Sequence, residues 1–325
     1  MPSAFSRLLP DAVPAAARRV AALVRETRIV PSAGLTARVG GDVYLKLENE
    51  QITGSFKLRG AANVLATLSP DVRARGVVAS SAGNHGLGVA YAARHFGVTA
   101  TIFVPSGAPL VKRQGIVALG ATIDSSQPHY DAAMDAAKAH AAANGATFIN
   151  PCLGDMLLAG QGTVALEILA ALPGLGALVL SVGGGGLLGG CASYVRRAAP
   201  HVHIVGVQSV NTAAMAKSVA AKRVVPIENL PTLADGLAGQ IDEDALDIGL
   251  NALDDIVTVT EDEIAAAIAW LATHHAIRAE GAGAVGVAAV LAGRLPALST
   301  PAAVVVSGGN IDSARFDEIR GRYPA

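Results

Sequence analysis

What this chain has little of already excludes several kinds of protein. It carries only two cysteines, Cys152 and Cys191, which cannot build a disulfide framework. Charged residues are 16% of the whole, and the two signs nearly cancel to a net charge of −1. Nothing in that balance attracts nucleic acid or an anionic membrane surface. No uninterrupted apolar run approaches the roughly eighteen residues a membrane helix needs. The opening Met1-Pro2-Ser3-Ala4 has no basic region leading into an apolar core, so no signal peptide is expected and the cytoplasm is the default. There is no internal repeat, and no low-complexity segment beyond a general richness in alanine. What is present in quantity is apolar: 51% of the 325 residues. That fits a well-buried α/β enzyme with one large domain or two smaller ones.

The pattern along the chain supports that class. Asp11 to Arg25 reads as an N-terminal helix, with Pro14 tolerated in its first turn. Val43 to Leu47 reads as a strand and Leu58 to Leu68 as a helix. From Gly76 onward short apolar strands alternate with helices. Strands are expected at Val77 to Ala79, Thr99 to Val104, Ala121 to Asp124 and Thr147 to Ile149. Helices are expected at Gly86 to Phe96, Pro109 to Leu119 and Tyr130 to Ala143. A second series follows, with helix Gly160 to Ala171, strand Ala177 to Ser181, helix Leu187 to Ala199 and strand His203 to Val207. A less regular section covers Ser209 to Ile256. Helices Glu261 to His275 and Ala282 to Ala292, strand Ala302 to Val306 and helix Ile311 to Arg320 complete the chain. Alternation of this kind implies βαβ units and parallel sheets. Strands that are apolar on both faces imply sheets covered by helices on both sides.

Four short motifs stand at strand-to-helix junctions of this pattern. The first is Gly54-Ser55-Phe56-Lys57, which places a lysine close to a helix start. Desolvation lowers a lysine's pKa and leaves the amine nucleophilic enough to form a Schiff base. A solvated lysine at a helix start is the plain alternative. The second is Ser80-Ser81-Ala82-Gly83-Asn84-His85-Gly86. Ser81, Asn84 and the local N–H groups can hold a carboxylate there, or a serine can simply cap the helix. The third is Gly183-Gly184-Gly185-Gly186-Leu187. Four glycines allow close approach of successive N–H groups, and the helix behind them adds its positive end, so a phosphate is the natural guest. The fourth is Ser307-Gly308-Gly309-Asn310, after an apolar strand.

Taken together and in this order, the motifs resemble the fold type II pyridoxal-phosphate enzymes. The nearest branch is that of serine/threonine dehydratases (ammonia-lyases) and serine racemase, and the likeness runs from about Glu48 to Asn310. It implies a two-domain fold similar to tryptophan synthase β, with parallel-rich sheets flanked by helices. A large cofactor-binding domain (1–72 and 153–325) would carry a small inserted domain (73–152). It further implies a homodimer acting on a small amino acid with pyridoxal 5'-phosphate as cofactor.

The resemblance also assigns roles. Lys57 would carry the cofactor and act as the catalytic base. Phe56 would wall the ring, Asn84 would contact its phenolic oxygen, and Ser307 would face the pyridine nitrogen. Gly183, Gly184, Gly185, Gly186 and Leu187 would hold the phosphate, and Glu280 would lie near the cofactor. Substrate would meet Ser81, Gly83, Asn84, His85, Cys152 and Gly236. A neutral hydroxyl at Ser307 does not enforce protonation of the ring nitrogen as an aspartate would, which favours elimination.

Two departures refine the expectation. Racemases of the group have a serine where this chain has Ala82, so a second-face proton donor is missing. Some members bind a divalent cation just after the strand His203 to Val207. The matching stretch here, Gln208 to Ala214, has no carboxylate, so no metal is expected. The sequence therefore points to α,β-elimination of a β-hydroxy amino acid such as L-threonine or L-serine, giving a 2-keto acid and ammonia. Racemisation, threo-3-hydroxyaspartate ammonia-lyase activity and β-replacement are the alternatives on the same fold.

Overall fold

The computed structural model describes residues 11–108, 110–295 and 297–323. The chain opens with α1 (Ala12–Val20), β1 (Ile29–Pro31), α2 (Ala33–Val39), β2 (Val43–Leu47), α3 (Lys57–Thr67) and α4 (Pro70–Arg73). Next come β3 (Val77–Ser80), α5 (Asn84–Phe96), β4 (Ala100–Pro105), α6 (Leu110–Ala118), β5 (Thr122–Gln127), α7 (Tyr130–Asn144) and β6 (Thr147–Phe148). Then follow α8 (Asp155–Ala171), β7 (Ala177–Ser181), α9 (Gly186–Ala198), β8 (His203–Ser209), α10 (Ala214–Ala221), α11 (Glu243–Ala252) and β9 (Asp255–Val259). The last elements are α12 (Glu261–His275), α13 (Gly281–Leu291), β10 (Ala302–Val306) and α14 (Ser313–Arg322).

These strands form two sheets. The larger has the order β1-β2-β10-β7-β8-β9, and the smaller β5-β4-β3-β6. Every pairing is parallel except β1 with β2. Side chains of a strand alternate between faces, and here both faces are covered. Ala302, Val304 and Val306 of β10 enter the core built with α12 and α13, while Ala303 and Val305 enter the core built with α8 and α9. In the smaller sheet, Val77 and Ala79 pack against α3 and α5, and Val78 against α7. The parallel-rich α/β architecture expected from the alternation is the one observed.

Several expectations differ in detail. The first helix stops at Val20, short of Arg25, and Asp11 makes no side-chain capping bond. The helix expected from Gly160 begins at Asp155 instead. Glycines inside a helix read as breakers, yet these serve close packing. A Cβ on Gly160 would lie 2.5 Å from the Arg59 carbonyl oxygen, and one on Gly162 would lie 2.6 Å from the Gly190 carbonyl oxygen. The irregular section after Ser209 holds α10, α11 and the edge strand β9. The expected start of α6 at Pro109 lies outside the described residues.

One buried cluster ties the layers together. Arg59 of α3 is fully buried and donates to both carboxylate oxygens of Glu48, each at 2.8 Å. The same guanidinium reaches Glu167 of α8 at 2.6 and 2.9 Å and Thr163 at 3.0 Å. Lys46 of β2, also fully buried, pairs with Glu167 and donates to the Thr27 carbonyl at 2.8 Å. Two cations thus face two anions, so the cluster carries no net charge. Burial alone would push the Glu48 carboxyl up, but the charges and hydrogen bonds of Arg59 and the charge of Lys46 hold it below its ordinary value. Removing one partner from such a pair strands the other without water. Arg59→Met is therefore expected to lower the unfolding free energy at neutral pH by about 3–5 kcal/mol. Because the Glu48 pKa is depressed in the fold, its contribution is complete above 4.5 and is lost as pH falls through the lower folded value. The deficit of Arg59→Met should accordingly narrow in acid. Denaturant unfolding at neutral and acid pH checks both points, and equal stability of the two proteins at neutral pH would refute the assignment.

Candidate active site

The lysine motif leaves β2 and is fastened to the end of β10. Ser55 bridges Gly308, the Phe56 N–H donates to the Ser307 carbonyl at 3.1 Å, and the Gly309 N–H donates to the Gly54 carbonyl at 2.9 Å. Gly54 has φ +74°, and a Cβ there would meet Asn310 Oδ1 at 2.3 Å. Only glycine satisfies both conditions. This fixed loop sets Lys57 as the first residue of α3. Its Nζ donates to the Pro151 carbonyl at 2.8 Å and lies 5.2 Å from the centre of the Phe56 ring. The amine therefore reaches across from the larger sheet to the loop that follows β6 of the smaller one.

The glycine run leaves β7 and starts α9. Gly185, with φ +89°, is the cap residue, and the first N–H groups of a helix have no acceptor within it. The cradle is walled on two sides. A Cβ on Gly184 would lie 2.7 Å from Cys152 Sγ, and one on Gly186 3.1 Å from the Cys152 backbone. A Cβ on Gly183 would lie 3.1 Å from the backbone of Leu237, the neighbour of Gly236. Leu187 is buried behind the turn. Cys152 is itself positioned by Asn150, whose Oδ1 accepts from the N–H groups of Cys152 and Leu153 at 2.8 and 2.9 Å.

The third loop follows β3. Ser81 Oγ accepts from the Gly83 N–H at 3.1 Å, and Gly83, not a serine, is the cap residue of α5. Asn84 is held on both sides of its amide. Its Nδ2 donates to Glu280 Oε1 at 2.6 Å, and its Oδ1 accepts from Asn310 Nδ2 at 2.7 Å. Asn310 Nδ2 also donates to the Thr53 carbonyl at 2.8 Å. His85 is buried, with Nε2 2.9 Å from the Ile149 carbonyl oxygen. A carbonyl only accepts, so Nε2 carries the proton. Burial first, and the Lys57 charge second, push the His85 pKa down to about 3, against the pull of the Ile149 carbonyl. His85 is therefore a neutral imidazole at pH 7.

Ser307 follows β10 and is buried. Its Oγ accepts from Ser181 Oγ at 3.0 Å and donates to the Ala282 carbonyl at 3.2 Å. Sequence reasoning singled out neither Ser181 nor the amide bridge made by Asn310. Ser181 ends the strand before the glycine run, as Ser307 comes just after its own strand, and that shared position was a usable signal. At the stretch where a cation was considered, Gln208 is buried. Its Oε1 accepts from the Ala216 N–H at 2.8 Å and its Nε2 donates to the Thr212 carbonyl at 3.4 Å. Among the described residues, no group of three or more His, Cys, Asp or Glu side chains could hold a metal ion. Among them, too, no helix is long and apolar enough to cross a membrane.

The three loops and Ser307 thus meet at the carboxyl ends of the two sheets, where open parallel sheets bind ligands. Among the described residues, half of the buried polar atoms without a partner lie in these segments, Thr53 Oγ1 and Ser55 Oγ in the lysine loop and Ser80 Oγ and His85 Nδ1 beside α5; Asn49 Oδ1, Arg113 Nε, Gln161 Nε2 and Thr212 Oγ1 lie in others. Buried polar atoms are rarely left unbonded, so this grouping fits a site completed by a polar group from outside the chain. A cradle walled by Cys152 at Gly184 and Gly186, with the Lys57 amine held on the neighbouring Pro151 carbonyl beside the Phe56 ring, suits a phosphorylated aldehyde. The class is that of the pyridoxal-phosphate enzymes. A family model described as pyridoxal-phosphate dependent enzyme matches residues 20–308, and the chain belongs to that family.

Similarity to individual proteins is high along the whole chain. An L-threonine ammonia-lyase of Thermotoga maritima is 44% identical over 305 residues, 94% of this chain and 76% of that protein. Among solved structures, maize serine racemase superposes with a TM-score of 0.91 at 29% identity, covering 97% of both chains. The processed form of threonine deaminase isoform 2 from Solanum lycopersicum superposes with a TM-score of 0.88 at 29% identity, covering 97% of this chain and 94% of that one. The cofactor is pyridoxal phosphate, and the residues at the carboxyl ends of the sheets fit it. Gly184→Ala places a methyl against the Cys152 thiol. Overpacking of that kind costs about 1–3 kcal/mol, so cofactor affinity should fall roughly tenfold or more. Adding Cys152→Gly should restore part of it. Absorbance titration with pyridoxal phosphate reads the change, and unaltered affinity in Gly184→Ala would remove the cradle from the site.

Proposed function

We propose that the protein is an ammonia-lyase that eliminates the β-hydroxyl of a small amino acid such as L-threonine or L-serine, releasing a 2-keto acid and ammonia. The observation that carries this reading is the buried, neutral Ser307 at the end of β10, beside the loop that holds Lys57. An aspartate there would stabilise a positively charged ring nitrogen, whereas a hydroxyl does not, and departure of a β-substituent becomes the better outlet. The name of the Thermotoga relative supports the same reaction. When bound, pyridoxal phosphate supplies an aldehyde for imine chemistry and a conjugated ring that draws electrons from the substrate's α-carbon.

The chain's own residues divide the remaining work. Gly183 to Gly186 and the start of α9 would hold the phosphate, Phe56 would wall the ring, and Asn84, bonded to Glu280, would lie beside it. Lys57 would hold the cofactor through its aldehyde, and the free Lys57 amine is the base that takes the α-proton from one face. The N–H groups at the start of α5, with Ser81, Asn84 and neutral His85, take the substrate carboxylate. Cys152 and Gly236 border the substrate. Loss of the α-proton and of the hydroxyl together releases one water. The enamine left behind takes up water to give the keto acid and ammonia. Ala82 presents a methyl where a racemase needs a second proton donor, so this chain offers no proton to the α-carbon from the opposite face. In the same reading the chain divides into a large domain (1–72 and 153–325) and an inserted small domain (73–152). It works as a cytoplasmic homodimer, which sedimentation and cell fractionation test.

Lys57→Ala should lose turnover by a factor of at least about 10³, as expected when a base positioned at the reacting proton is removed. It should still bind some pyridoxal phosphate at the glycine cradle, without the yellow imine absorbance that borohydride abolishes in the wild type. Near-normal turnover by the variant would end the assignment. The reaction class is tested by following keto acid and enantiomer together from L-serine and L-threonine. Keto acid should form much faster, and an enantiomer formed faster than keto acid would mean that another group supplies the second base.

A further inference from the structure

The loop after β6 is anchored to the smaller sheet by the Ile149 N–H, which donates to the Val78 carbonyl at 2.8 Å. The next residue, Asn150, turns the chain with its own side chain. Its Oδ1 accepts from the Cys152 N–H at 2.8 Å and from the Leu153 N–H at 2.9 Å. Asparagine and aspartate both form this kind of turn. The Cys152 N–H and the Pro151 carbonyl belong to one peptide unit. Such a unit is planar, and when it is trans, as this one is, the two groups point in opposite directions. Holding the N–H on Asn150 therefore aims the carbonyl away from it, and what the carbonyl meets is Lys57 Nζ at 2.8 Å. Cys152 Cα, at the far end of the same unit, would lie 3.1 Å from a Cβ on Gly186. One rigid plane thus touches the asparagine, the lysine and the glycine cradle.

We propose that Asn150 is a positioning residue for the base: through this peptide unit it aims the Pro151 carbonyl at the free Lys57 amine and so supports removal of the α-proton. This rests on the role given to Lys57 above. A carbonyl only accepts, so the bond uses an N–H of Lys57 and leaves the lone pair of the neutral amine free. The same bond fixes the direction in which that lone pair points. When the α C–H bond breaks, its proton joins Nζ through the lone pair, and its electron pair stays with the substrate carbon. Lys57 becomes an ammonium that still donates to Pro151. A hydrogen bond from a charged donor is roughly twice as strong as one from a neutral donor. The bond therefore gains strength as the charge forms, and an interaction of that kind lowers the barrier instead of merely tightening binding. The Cys152 N–H, by donating to Asn150, polarises the carbonyl in the same sense. Asn150 acts only through that carbonyl.

The test compares wild type, Asn150→Ala and Asn150→Asp. In cofactor-free protein labelled with 15N in its lysine side chains, the Lys57 signal is the one that Lys57→Ala lacks, and exchange of its protons with water is timed. In the holoenzyme, keto acid is followed from L-serine and from L-serine deuterated at the α-carbon. Pyridoxal phosphate affinity and thermal unfolding are measured beside them. In wild type the Lys57 protons should exchange more slowly than those of the exposed Lys222. Asn150→Ala should abolish that protection, raise the α-deuterium isotope effect on kcat, and lower kcat roughly tenfold, the gap between a neutral and a charged hydrogen bond. KM and cofactor affinity should be nearly unchanged. Asn150→Asp, which keeps the accepting oxygen, should restore all three. Should Asn150→Ala fail to fold, Asn150→Ser, whose hydroxyl makes the same turn more weakly, takes its place with the same changes in smaller measure. Wild-type Lys57 protons that exchange as fast as those of Lys222, an isotope effect unmoved in Asn150→Ala, or a loss of kcat that aspartate does not restore overturns the proposal. Failure of the lyase reading looks different: wild type then releases no keto acid, and exchange of the L-serine α-proton with deuterated water replaces the isotope effect as the measure of the base.

Discussion

Arg59 is the residue on which the rest of the arrangement hangs. It lies two positions after Lys57 on α3, so the two side chains leave the helix about 200° apart. Lysine and arginine therefore face opposite ways from the same turn, one toward the loop after β6 and one into the interior. The interior end is clamped by Glu48 just beyond β2 and by Glu167 on α8. A guanidinium is planar and holds five donors in a fixed fork, so this double bidentate grip sets orientation as well as position. Despite burial, which disfavours its charge, Arg59 is held protonated beyond its ordinary range by Glu48 and Glu167. The start of α3 is thus referenced to both β2 and α8, and the reactive amine inherits that placement.

Small residues complete what the ion cluster begins. A Cβ on Gly60 would meet Gln161 at 2.5 Å, and one on Gly190 would meet the Leu158 carbonyl oxygen at 2.5 Å. With Gly160 and Gly162, these positions let α3, α8 and α9 approach until backbones touch. The glycine cradle is the continuation of the same design at the head of α9. Glycine here serves two ends, close helix contact in the interior and exposed N–H groups at the surface of the site.

Much of this was legible in the sequence, because its signals are local. The alternation of short apolar strands with helices gave the parallel sheets, and the four motifs fell at the junctions where they are observed. The misses share a cause. The sequence pattern starts the helix α8 at Gly160, five residues late, because the packing role of its glycines appears only when the neighbour across the interface is known. The helix α11 has a clear cap, Asp242 accepting from the Ala245 N–H at 2.9 Å, but it sits inside an otherwise irregular stretch that hid it. The partners of Arg59 lie 11 and 108 residues away, and the partner of Ser307 lies 126 residues away. No short window of sequence contains the pairs 108 and 126 residues apart. They follow only once the order β2-β10-β7 is known.

The bridge through Asn84 has a thermodynamic meaning of its own. Asn84 stands at the head of a helix belonging to the smaller sheet, while Glu280, Thr53 and Asn310 belong to elements around the larger one. Any separation of the two sheets at this point must break the bonds of 2.6 and 2.7 Å that hold its amide. A ligand that touches both sheets therefore adds its own contacts to a bridge the chain already makes. Binding and bridging are linked: whatever loosens the Asn84 amide weakens the hold on such a ligand, and the ligand in turn holds the two sheets together at this point.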